Sequence, residues 1–181
     1  MQTNKWVVIA GCALLSACSN MGDVFKRGPS ATAVLAPTKG NQASGTVQFK
    51  QRGENVLVEV KVTGLKPNGA HGFHVHEKGD CSAADASSAG GHFNPDKMPH
   101  GSLSSEKRHA GDFGNLQADA NGYAHASIKV SGVTLGADAN SIIGRAVIVH
   151  ANPDDLTSQP SGNAGARIAC GLISKNPDKI F

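Results

Sequence analysis

The chain has 181 residues, enough for one domain with a buried core. Its formal net charge is +3, without a basic block, which is too weak a balance to argue for nucleic-acid binding. Twenty-two glycines, eight prolines and 4% aromatic residues favour many turns and short strands, and no heptad or internal repeat is present.

The first segment is an address. Lys5 precedes the short apolar run Trp6–Leu15, which is short for a membrane span and has the form of a signal peptide over residues 1–17. Leu15-Ser16-Ala17-Cys18 resembles a bacterial lipobox, so cleavage is expected before Cys18, with Cys18 carrying lipid. Ser19 follows it, which points to the outer membrane. Ordinary cleavage at the same small residues is the plainer alternative. Residues 18–30 have no hydrophobic period and read as a tether, leaving 31–181 as the domain. Of four cysteines, Cys12 leaves with the signal and Cys18 is lipidated or lost. Cys81 and Cys170 remain, as a disulfide or as two free thiols, in an oxidising compartment.

The domain then reads as short strands. Ala31–Pro37 is a first strand and Ser44–Gln51 an alternating second. Val58, Val60 and Val62 share one face of a third, with Glu59 and Lys61 on the other. Ala70–Glu77 is a fourth, and in it His74 and His76 fall on the same face. A long loop follows from about Lys78 to Gly114. Asn115–Asp119 and Tyr123–Ser131 are further strands. The run Ala146–His150 is rich in β-branched residues and reads as a buried strand. A second long loop, 152–165, leads to a last strand, 166–173. About eight antiparallel strands without a convincing helix predict an all-β Greek-key barrel or sandwich with two functional loops.

The long loop is where the chemistry concentrates. His92, His100 and His109 sit in Gly/Ser/Pro/Asp-rich sequence, and Asp112 follows His109 by three. A structureless loop of this length in a compact domain usually has a function. Imidazoles with one carboxylate suit zinc or copper far better than magnesium or calcium. His71 fits a buried structural histidine bonded to backbone carbonyls, and His125, between two alanines, an exposed bystander.

Four motifs in order, H-G-F-H-V-H, G-G-H-F-N-P, R-H-A-G-D and G-N-A-G-A-R-I-A-C-G, strongly resemble the copper/zinc superoxide dismutases over roughly residues 31–175. The resemblance implies one copper per subunit on His74, His76, His92 and His150. It implies one zinc per subunit on His92, His100, His109 and Asp112, with His92 bridging the two. It makes Arg167 and His92 the catalytic residues, Asp154 an outer carboxylate that orients metal histidines, and Cys81–Cys170 a disulfide. The implied activity is dismutation of superoxide to dioxygen and hydrogen peroxide, protecting the cell envelope. Cys81 comes five residues after His76, as in bacterial periplasmic members, and the second loop is short. Its T-S-Q-P-S stretch holds no charge, so steering by that loop is in doubt and Lys97 or Lys107 are the candidate substitutes. A homodimer is left open, and the membrane enters only through the lipid anchor.

Three rivals were weighed. A copper-delivery protein on the same fold usually lacks part of this ligand set or the arginine. A zinc-only module has no use for four extra imidazoles. A zinc hydrolase wants an open position and a general base, whereas this zinc set is closed at four.

Overall fold

The computed structural model describes residues 28–176. The signal, lipobox and most of the tether expected from the sequence lie outside the described residues. Nine strands form: β1 (Ser30–Pro37), β2 (Ser44–Arg52), β3 (Asn55–Thr63), β4 (Ala70–His76), β5 (Asp112–Gln117), β6 (Ala124–Ser131), β7 (Ala146–His150), β8 (Arg167–Leu172) and the two-residue β9 (Ser174–Lys175). All pairs are antiparallel, in the order β5-β4-β7-β8-β1-β2-β3-β6. β5 and β6 lie close across the remaining gap without a ladder, so the barrel is nearly closed. The connections from β3 to β4 and from β6 to β7 join strands that are not neighbours, which is the Greek-key pattern.

The alternation seen in the sequence decides which face is inside. Val56, Val58, Val60 and Val62 of β3 are fully buried, as are Val47 and Phe49 of β2. Each valine so buried contributes on the order of 1.5–3 kcal/mol of transfer free energy. β4 and β7 are buried on both faces. Phe73, Val75, Val147 and Val149 join the barrel core. Their neighbours His74, His76, Ile148 and His150 point outward beneath the loops. There a second small cluster, Ala86, Ala89, Ala146, Ile148 and Cys170, seats the long loop on the sheet.

β9 continues the antiparallel register of β8 against β1, with Ala36 opposite Cys170 and Ala31 opposite Lys175. The last predicted strand is therefore divided at Ile173. The only helical piece among the described residues is the 3-10 turn Ser87–Ala89 inside the long loop. The loop also ends earlier than its composition suggested. Asp112 opens β5, because Phe113 and Gly114 (φ 84°) together stand opposite Phe73 in a bulge. A second bulge places the extra residue Ile168 beside the Val149–His150 bond. Bulges re-aim side chains, and these two set the direction of Asp112, His150 and Arg167.

Candidate metal centre

All seven side chains expected at the metals converge above β4 and β7. His74 and His76 come from β4, His150 from the end of β7, and Asp112 from the start of β5. His92, His100 and His109 come from the long loop, whose residue His92 forms a bridge with His76. Two groups result, each with its ligand atoms within 4.8 Å of one another: His74, His76, His92 and His150, then His92, His100, His109 and Asp112. His92 is in both.

Hydrogen bonds set which ring nitrogen faces the centre. His76 Nδ1 lies 2.9 Å from Gly90 O, and His150 Nδ1 lies 3.1 Å from Gly165 O. A carbonyl only accepts, so both Nδ1 atoms carry the proton. The two Nε2 atoms then carry lone pairs, yet they approach to 3.4 Å. Facing lone pairs at that distance repel unless a cation lies between them. His74 Nε2 donates to Asp154 Oδ2 at 2.7 Å and His100 Nε2 to Asp154 Oδ1 at 2.9 Å. That leaves His74 Nδ1 and His100 Nδ1 buried without a hydrogen-bond partner, as is His92 Nε2. Buried polar atoms without partners are rare, and these three all point into the cluster.

The second group is organised by charge. His92, His100 and His109 bring Nδ1 to within 2.8, 3.0 and 3.2 Å of one oxygen, Asp112 Oδ1. The other oxygen, Oδ2, accepts from the backbone N–H groups of His109 (2.9 Å) and Gly101 (3.1 Å). Backbone donors thus hold the carboxylate with Oδ1 toward the imidazoles. Burial alone raises a carboxyl pKa; here the hydrogen bonds from His100, His109 and His92 override it and hold Asp112 far below its ordinary range.

The two groups differ in protonation. Burial lowers His150 to about 3, helped by the nearby His74, and lowers His92 to about 4 against the pull of Asp112. Burial and the neighbouring His92 also take His76 well below its ordinary value. These rings are neutral at pH 7, as ligands must be. His100 goes the other way. Burial opposes its charge, but Asp112 and Asp154 flank it and raise it to about 9.

Asp154 spans both groups, and burial's upward push on it is outweighed by the bonds from His74 and His100. Its backbone is fixed by Asn115, which accepts from Asp154 N at 2.7 Å and donates to Asp154 O at 2.9 Å. Gly162 makes room for it, since a Cβ there would fall on Asp154 Oδ1 and within 2.6 Å of His100 Nε2. Gln159 grips His100 in the same way, accepting from its N–H at 2.8 Å and donating to its C=O at 2.9 Å. Asn115 and Gln159 were missed by sequence reasoning. Nothing local marks either one, because both act across more than 35 residues of chain. Arg108 was missed too; it ties His109 O and Ala110 O to Ser131 O at the end of β6.

Arg167 donates to Ala86 O and Gly90 O, each at 2.6 Å, so the carbonyl that orients His76 also fixes the guanidinium. Cys81 and Cys170 are bonded, with Cα atoms 5.8 Å apart. His71 is buried and donates from Nδ1 to a single carbonyl, His150 O, at 2.8 Å. His125, Lys97 and Lys107 are exposed. Of the glycines flanking the site, Gly90 and Gly165 have positive φ and turn their carbonyls toward the imidazoles. Gly91 has neither a positive φ nor a close neighbour at its Cβ position.

With this geometry in view, the comparisons are decisive. The profile of the copper/zinc superoxide dismutases (SODC) matches residues 43–173. The chain belongs to the copper/zinc superoxide dismutase family. A superoxide dismutase (Cu-Zn) of Onchocerca volvulus is 44% identical over 154 residues, spanning 79% of this chain and 96% of that one. The dismutase is an oxidoreductase with copper and zinc as cofactors, and its donor atoms suit both. Four imidazoles fit copper, and an N3O set fits tetrahedral zinc.

Proposed function

We propose that copper is held by His74 Nδ1 and by Nε2 of His76, His92 and His150. Zinc is held by Nδ1 of His92, His100 and His109 and by Asp112 Oδ1. His92 is the shared imidazole. The observation that carries this reading is the 3.4 Å approach of His76 Nε2 to His150 Nε2, with both Nδ1 protons already committed to carbonyls. Copper, when bound, supplies a one-electron acceptor and donor for the two halves of the reaction, in which two superoxide ions and two protons give dioxygen and hydrogen peroxide.

The chain's own residues do the rest. Arg167, held by two carbonyls, presents a fixed cation to a small anion. His92 Nε2 is the nitrogen that holds and delivers one of the two protons, while its Nδ1 stays on the zinc side. Asp154 keeps His74 and His100 in fixed ring orientations, so that the two halves move little between turnovers. Elemental analysis of the purified enzyme beside a dismutation assay tests the assignment. Equal copper and zinc with rapid superoxide loss supports it. Activity from a protein holding zinc alone rejects it.

We also read the protein as a bacterial-type enzyme of the cell envelope, exported by residues 1–17 and anchored through Cys18, with the outer membrane the favoured site. The lipobox, the spacing of Cys81 from His76 and the presence of a disulfide favour that reading. Mass spectrometry of the N-terminal peptide from membranes checks it; an unmodified N-terminus in the soluble fraction rules the anchor out. The mass of the same preparation in solution decides between monomer and homodimer.

A further inference from the structure

The second loop places no lysine or arginine between residues 151 and 166, so it adds no cation beside Arg167. The structure supplies one from the other side. The turn after β1 is pinned there by three bonds: Thr38 Oγ1 donates to Arg167 O at 2.8 Å, Thr38 N to Ile168 O at 3.1 Å, and Lys39 N to Ala84 O at 2.8 Å. Thr38, Lys39, Asp85, Ser87, Gly165 and Arg167 thereby line a solvent-open groove of about 350 Å³. Its charged lining is two cations and one anion. Asp85 accepts from Ser87 N at 2.9 Å, which favours its ionised form. The groove abuts the metal cluster through Gly165, whose carbonyl accepts from His150, and through Arg167, which shares Gly90 O with His76.

We propose that this groove is an approach path for small inorganic anions, superoxide among them, and that Lys39 is the cation that loads it while Asp85 opposes it. Lys97 and Lys107, on the long loop, do not line it. The proposal rests on the dismutase reading for its substrate, but not for its anion site. One exposed charge several ångströms from the path changes a local anion concentration by about two- to three-fold in water, and salt erases the effect beyond a Debye length of about 10 Å at 0.1 M.

The test uses the copper- and zinc-loaded enzyme. Lys39→Gln lowers kcat/KM by about two- to three-fold at low ionic strength and flattens its salt dependence; Asp85→Asn raises it by a similar factor. Neither variant changes metal content. Lys97→Gln and Lys107→Gln are the controls and leave kcat/KM close to the parent value. Binding is read separately, by titrating inorganic phosphate into the reduced, diamagnetic enzyme and following the amide shifts of Lys39, Ser87 and Arg167. Phosphate binds more weakly to Lys39→Gln and more tightly to Asp85→Asn. Parent-like rates and titrations in both variants overturn the proposal, as do equal losses in all three lysine variants, which would mean diffuse net charge. A parent protein that binds phosphate here yet dismutates nothing sinks the dismutase reading and leaves the anion groove standing.

Discussion

The two halves of the metal cluster are built on different principles. The copper half stands on strands. His74, His76 and His150 project from β4 and β7, and two of them are oriented by glycine carbonyls, which carry no net charge. The zinc half is mostly loop. Its three histidines gather around one carboxylate, and its compensation is ionic. The first half is therefore organised by the barrel before any ion arrives, whereas the second depends on Asp112, and on the ion, to hold a long irregular segment in place. Preorganisation on rigid elements suits the half that turns over; a redox-inert ion suits the half that must be held shut.

The largest expected effects follow from removing a ligand on either side. His150→Ala abolishes dismutation and copper retention while leaving zinc and the fold in place, because β7 keeps Val147 and Val149 in the core. Asp112→Ala has the opposite distribution. It loses zinc first and loosens the loop, visible as faster amide exchange over residues 93–111, while His74, His76 and His150 remain on their strands. Metal content and hydrogen exchange measured on both variants decide this. Equal damage to both metals in His150→Ala would erase the distinction between the halves.

Asp154 is the point where the distinction is bridged. It accepts from one histidine of each half, so Asp154→Asn weakens both metals together, by about 10- to 100-fold in affinity. Competition with chelators of known affinity reads the two constants separately. A loss confined to zinc would mean that the His74 bond contributes nothing.

The sequence made these two halves unequally legible. The strand half follows from period-two alternation: Phe73 and Val75 inward, His74 and His76 outward, which the structure reproduces. The barrel class follows from the same alternation in β2, β3 and β6. The loop half has no period to read. Its membership came from a resemblance in motif order, and its boundary was misplaced because the Phe113–Gly114 bulge makes Asp112 a strand residue. The supports were illegible for a third reason. Asn115 on Asp154, Gln159 on His100 and Arg108 on Ser131 O are polar side chains that meet backbone from distant segments. Only the fold brings such partners together.

The disulfide belongs to the seam between barrel and loop. It ties Cys81, which is exposed, to the buried Cys170 of β8 across 89 residues. In the chain-entropy model, closing a loop of that length stabilises by roughly 4–5 kcal/mol as an upper value. Cys81→Ser with Cys170→Ser should lower Tm, with the loss concentrated where Ala86 O and Gly90 O hold Arg167. A Tm drop with an unchanged rate per bound copper would separate the disulfide's contribution to stability from any role in positioning Arg167.

The smallest effect is a difference in proton release, and it tests the comparison most directly. In the metal-free protein His100 is raised to about 9, so over the neutral range it holds a proton that zinc must displace. Apparent zinc affinity then climbs about tenfold per pH unit from pH 6 and flattens near pH 9. His76, His92 and His150 are lowered and already neutral there, so they add no such slope to copper affinity. The sign also holds for stability without metal: a raised histidine stabilises fully below its unfolded value near 6.5 and loses that contribution as pH rises through about 9. Asp154→Asn removes one of the two carboxylates behind the shift, and the zinc plateau should begin at a lower pH. Parallel pH slopes for the two metals would show that both halves are assembled in the same way.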